Sequence, residues 1–172
     1  TALYKALHSV RRFSEDIDLS VDVRDCSRSQ GDKRLDRATK KYTCLPRNAQ
    51  EGRSNRSEVI SYYYYEPVVE YDTSDVLQRF GKVKVEATSF TISEPYESMR
   101  VAPIIYENAE PSQQAILTDQ FDVSPFEILT MTMERIFVDK LFAAEAYTRN
   151  AEKGHRAFEA SKHIYDLAVI LN

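Results

Sequence analysis

The stretch RFSEDIDLSV, residues 12–21, sets Glu15, Asp16 and Asp18 among large apolar residues in a segment that otherwise reads as a core strand. In an extended chain residues i and i+2 point the same way, ~6.5 Å apart along the strand, so Asp16 and Asp18 can converge on a metal ion or a metal pair. An oxygen-only donor set favours Mg²⁺, which typically takes one or two carboxylates and completes its shell with water and substrate phosphates. A calcium loop does not fit, because the acids do not run on into the glycine turn such loops need. An Asp-x-Asp pair alone is common on strand surfaces. A third carboxylate strengthens the metal reading: Glu86 stands on the polar side of the alternating segment KVKVEATSF, 82–90, and pairing of the two strands would bring it beside Asp16 and Asp18.

Other chemistry finds little support. His8, His155 and His163 have no ligand spacing, and no serine sits in a nucleophile-elbow context. The run YYYY, 62–65, offers rings on which bases can stack, although tyrosine-rich strands ordinarily serve packing. Cys26 and Cys44 are the only cysteines, which reads as two free thiols in a reducing cytoplasm.

The elements that must position these groups follow from periodicity. Residues 1–10 have helical spacing through Leu3, Leu7 and Val10. Residues 12–23 alternate, with Phe13, Ile17, Leu19, Val21 and Val23 opposite Ser14, Asp16, Asp18, Ser20 and Asp22. A short basic helix is expected over 31–42, a loop over 44–58 from its Pro, Gly, Asn and Ser content, and strand over 59–71, broken or edged at Pro67. Strands are expected near 82–90, 101–106 and 126–130. Thr132 is a candidate N-cap for a helix over 133–149 with a Met133, Phe137, Leu141, Ala144 stripe. A last helix, 158–171, is expected to bury Ile164, Leu167, Ala168 and Leu171. Strands lead and helices close, which is an α+β order.

The chain has 172 residues, 42% apolar and 29% charged, enough to bury roughly 70% of its unfolded surface without a staple. No apolar run approaches the ~20 residues of a membrane span. The net charge of −4 is uneven: residues 24–56 hold ten Lys/Arg against four acids, giving +6 and leaving −10 elsewhere. A basic segment on an acidic body suggests a polyanionic partner such as a nucleotide or RNA, against the plainer reading of a solvated helix.

Three blocks, TALYKAL…RRFSEDIDLSV, TMTMERIFVDKLFA (130–143) and KHIYDLAVIL (162–171), resemble in order the motifs of the abortive-infection AbiEii/AbiGii-type nucleotidyltransferase toxins, within the polymerase-β-like superfamily. Residues 24–120 are matched only loosely. The resemblance implies a polymerase-β-like sheet core over 1–130, including the 24–56 basic segment, with C-terminal helices over 131–172 packing on it. It further implies Mg²⁺-dependent transfer of an NMP from an NTP to an acceptor hydroxyl of RNA (such as a tRNA 3′ end) or protein, and a cognate antitoxin. Carried over by position, Asp16 and Asp18 are catalytic metal ligands, Lys140 and Asp166 further catalytic residues, and Thr1, Lys5 and Ser14 nucleotide contacts. The family's two glycines would precede Thr1; a chain without them is expected to keep its fold and bind nucleotide poorly. Two rivals stand beside this reading: a small-molecule (antibiotic) nucleotidyltransferase, and a non-catalytic RNA- or antitoxin-binding protein on a degenerate transferase fold.

For Asp166 the residues give an independent argument. It lies next to the apolar stripe of its helix, where an unpaired carboxylate is costly, and Lys162, one turn earlier, is a ready partner.

Overall fold

The computed structural model describes residues 2–8, 12, 14, 16–40, 45–68, 81–90, 94–149 and 155–172, with backbone alone at 49–50 and 155–159. The chain forms two compact units, one of residues 13–93 and one of 2–12 with 94–172. The boundary expected at residue 130 falls inside the second unit. The first segment of the chain groups with the helices rather than with the strands that follow it.

In the first unit, β1 (Asp16–Ser20), β2 (Arg47–Ser54), β3 (Glu58–Tyr64) and β4 (Lys82–Thr88) make a mixed sheet in the order β1-β4-β3-β2. β1 runs parallel to β4, while β3 is antiparallel to both β4 and β2. One face carries the core: Leu35 of α2 (Arg28–Lys40) buries against Val59 and Ala87, with Leu19, Val21 and Ala38 around them. A polar seam runs beside it. Ser61 Oγ donates to Thr39 Oγ1 at 3.0 Å and Tyr63 OH donates to the Thr39 carbonyl, so the groups that α2 buries against the sheet are satisfied.

β2 departs from the loop expected over 44–58. Its sequence RNAQEGRS has no apolar alternation, but an edge strand gains its order from backbone pairing and needs no buried face. The pairing with β3 shifts register between Asn48 and Arg53. Gly52 lies in that irregularity, where a Cβ would come within 2.7 Å of the Ile60 carbonyl oxygen.

In the second unit, β5 (Tyr96–Val101) and β6 (Phe126–Met131) form an antiparallel pair, joined through α3 (Ile104–Glu107) and α4 (Pro111–Phe121). The strand expected near 101–106 therefore sits earlier, and Pro103 opens a helix instead. α5 (Met133–Arg149) and α6 (His155–Ile170) pack against one another. Thr132 caps α5 as expected: its Oγ1 accepts from the Arg135 N–H at 3.5 Å and its carbonyl from the Ile136 N–H at 3.0 Å. α1 (Ala2–Lys5) docks through Leu3 on Ile136, with Met131, Met133, Val169 and Ile170.

The buried face of α6 is not the one its apolar residues suggest. Ala160 and Asp166 are buried, whereas Ile164, Ala168 and Leu171 are exposed. The mixed sheet and closing helices give the α+β architecture expected of a nucleotidyltransferase core with a C-terminal helical part.

Candidate active site

β1 shows how DIDLS builds a site. Leu19 turns into the core beneath α2, which obliges Asp16 and Asp18 to face the other side of the sheet. The parallel register sets Asp16 beside Lys84 and Asp18 beside Glu86, and cross-strand partners share a face. The antiparallel register with β3 adds Tyr62 beside Lys84 and Ile60 beside Glu86. Asp16, Asp18 and Glu86 thus belong to one polar sheet face, opposite the face that α2 covers. The Lys82 ammonium stands 5.1 Å from the Tyr62 ring centroid at the border of this face.

The electrostatics are uneven. Partial desolvation, with the charges of Asp16 and Glu86, pushes the Asp18 carboxyl above its ordinary pKa, and Lys84 opposes the shift. Lys84 forms an ion pair with Glu86. Burial alone would lower its pKa, yet the hydrogen bond to Glu86 and the charges of Glu86, Asp16 and Asp18 raise it. Among the described residues no three His, Cys, Asp or Glu side chains converge on one metal position. The oxygen pair of Asp16 and Asp18 by itself fits Mg²⁺, which needs only one or two protein carboxylates, and the crowding of negative charge around Asp18 favours a cation there. Ser14 is half-buried before β1, its hydroxyl 3.4 Å from the Asp16 carbonyl.

The other sequence-selected residues lie in the second unit. Asp166 of α6 is fully buried. Arg12 grips it with two bonds, Nε to Oδ1 at 2.8 Å and Nη2 to Oδ2 at 2.6 Å, and Lys140 Nζ of α5 reaches Oδ2 at 2.7 Å. Burial would raise this carboxyl; the bonds from Arg12 and Lys140 outweigh it and hold Asp166 below the usual range. The cations come from the N-terminal segment and from α5, not from the turn before it on α6. Lys5 pairs with Glu107 at 2.7 Å. Thr1 lies outside the described residues.

Two participants carried no assigned role in the sequence. Arg12 stands inside the RRFSEDIDLSV block, and only the demand of a buried acid for a cation marks it. Lys84 was visible as a member of the polar row of KVKVEAT, but nothing local distinguishes it from a solvated lysine.

The basic segment does not border the carboxylates. α2 packs on the opposite sheet face, and β2 is the strand farthest from β1. Much of its charge is spent locally, in Arg24–Asp22, Arg34–Asp25, Lys40–Asp36 and Arg53–Glu58 pairs. Arg37 is exposed on α2, and Lys41 lies outside the described residues.

Among the described residues no helix is long and apolar enough to cross a membrane. Comparison with curated proteins and with solved structures returned no match. The family model described as nucleotidyl transferase AbiEii toxin, type IV TA system, matches residues 1–172. With that match over its whole length, the chain belongs to the AbiEii nucleotidyl transferase toxin family of type IV toxin–antitoxin systems.

Proposed function

We propose that the protein transfers a nucleoside monophosphate from an NTP to an acceptor hydroxyl on RNA, such as a tRNA 3′ end, with Mg²⁺ held by Asp16 and Asp18. The observation that carries this reading is the β1 geometry, in which two carboxylates two residues apart share a sheet face in register with a third acid. When bound, Mg²⁺ supplies charge neutralisation on the triphosphate and a fixed orientation for it. The acceptor hydroxyl gives up its proton to solvent as its oxygen bonds to the α-phosphorus in line, and the bond from the α-phosphorus to the α–β bridging oxygen breaks to release pyrophosphate. Asp16 and Asp18 contribute hard anionic oxygens, and their mutual repulsion is relieved when a cation is present.

Lys140 and Lys5 are assigned to phosphate by the family resemblance. The +6 charge of residues 24–56 supports RNA as acceptor. Because α2 lies on the other sheet face, that charge would act by attracting the polyanion rather than by lining the reacting centre. Family membership implies a cognate antitoxin.

The test incubates the protein with each α-labelled NTP, Mg²⁺ and total RNA, beside Asp16→Asn and Asp18→Asn variants and an EDTA control. Label on RNA that needs Mg²⁺ and both aspartates supports the reading. Label on protein moves the acceptor to a protein hydroxyl. Absence of label with every nucleotide, under conditions where the protein is folded, returns it to a non-catalytic binding role.

A further inference from the structure

Lys84 interrupts the negative charge of the sheet face that carries Asp16 and Asp18. It is in register with Asp16 on β1 and with Tyr62 on β3, and it precedes Glu86 by two residues on its own strand. Neighbouring strands lie ~4.8 Å apart and same-face residues on one strand ~6.5 Å apart, so a lysine side chain at this node is within reach of all three acids. It is closed on Glu86, and both side chains are mostly shielded, 31% and 21% exposed. Surface pairs elsewhere in this unit, such as Arg24–Asp22, join one cation to one acid of the neighbouring turn. Here the Lys84 ammonium stands among three carboxylates, and two of them are the residues to which the function above assigns the cation.

We propose that Lys84 is the resident counter-ion of the Asp16–Asp18 site, holding Glu86 out of coordination, weakening the hold on a free divalent cation, and receiving the polyphosphate of the nucleotide. This rests on the proposed nucleotidyltransferase reading. With Lys84 in place the negative charge of Asp16, Asp18 and Glu86 is partly offset, which makes the face a weaker trap for Mg²⁺ alone. A nucleotide brings Mg²⁺ together with its own negative charge, and the ammonium then becomes an attraction. Lys84 is thus a selectivity device favouring the metal–nucleotide complex over the bare ion, and Glu86 is its holder instead of a third ligand.

The experiment measures binding of Mn²⁺ alone and of Mg²⁺ with a non-hydrolysable nucleoside triphosphate to the full chain, by calorimetry. It compares wild type, Lys84→Gln, Lys84→Met, Lys84→Arg and the Asp16→Asn/Asp18→Asn pair. The two neutral variants, of which Lys84→Met retains the aliphatic bulk, should bind Mn²⁺ alone about tenfold more tightly and the metal–nucleotide complex severalfold more weakly. Lys84→Arg should resemble wild type. Unchanged or weaker Mn²⁺ binding in a folded neutral variant, with binding still abolished in the double aspartate variant, overturns the role of Lys84 and leaves the active site standing. Wild-type binding that survives loss of both aspartates overturns the site itself, and this proposal with it.

Discussion

Asp18 and Asp166 carry the same carboxyl group in opposite electrostatic surroundings. The folded-state pKa of Asp18 is raised, first by desolvation and then by Asp16, so its ionised form costs stability at every pH above that value. The cost fades as pH falls through the raised pKa toward the unfolded value near ~3.9. Replacing Asp18 with Asn removes the cost. In EDTA at neutral pH the melting temperature should hold or rise, with the advantage over wild type shrinking in acid, while Mg²⁺-dependent transfer falls by orders of magnitude. Early melting combined with normal transfer at low temperature would make the pair scaffolding. The pKa of Asp166 is lowered, because bonds from Arg12 and Lys140 overcome its burial. Its stabilisation is complete above the unfolded pKa near ~3.9 and is lost as pH falls through the lower folded value. Asp166→Asn leaves two cations facing a neutral amide and should cost ~3–5 kcal/mol. Its melting curve should also lack the wild-type decline at the acid end, and an unchanged acid limb would remove the ion cluster from the stability of this unit.

Periodicity made some elements legible and hid others. β4 alternates strongly and Thr132 announces the start of α5, so the bounds of both follow the sequence within a residue or two, although α5 buries Ile136 and Ala144 and leaves Leu141 of the expected stripe exposed. β2 was hidden because its order comes from hydrogen bonds to β3 and not from an apolar face. α4 has no buried residue to create a stripe. Its signals were the Pro111 start and the reciprocal Glu110–Gln113 capping box, short-range cues that an apolar search passes over. On α6 the face expected to bury Ile164 and Leu171 gave way to the one that carries Asp166, where two cations fix the rotation of the helix. The hairpin irregularity offers a sharp test. Gly52→Ala would force a Cβ against the Ile60 carbonyl, so the β2–β3 ladder must open. Faster hydrogen exchange along β2 and β3 is expected, with a lower melting temperature. Wild-type protection in both strands would show that the backbone yields there without loss.

At the level of the whole molecule, the resemblance implies a core over 1–130, basic helix included, and helices over 131–172, whereas the contacts group 13–93 separately from 2–12 with 94–172. A motif continuous in sequence therefore serves two units: Arg12 belongs to the second, and Asp16 and Asp18 to the first. That partition cannot be read from spacing, because it depends on which distant residue each side chain meets. The distances along the chain are long. Asp16 pairs with Lys84, 68 positions later, and Arg12 reaches Asp166 across 154. Closing such separations is slow relative to local pairing. In pulsed hydrogen exchange the β3 and α5 amides should gain protection before those of β1, and simultaneous protection would contradict this order. Synthesis on the ribosome proceeds from the amino end, so the segment bearing the aspartates emerges before the strands it pairs with and must wait for them. β1 has no strand beside it until β4 is clear of the exit tunnel, and Arg12 has no carboxylate to grip until α6 has followed. A nascent chain thus carries the Asp16–Asp18 pair before the sheet face that holds it exists, so the proposed activity would begin only after release of a finished chain.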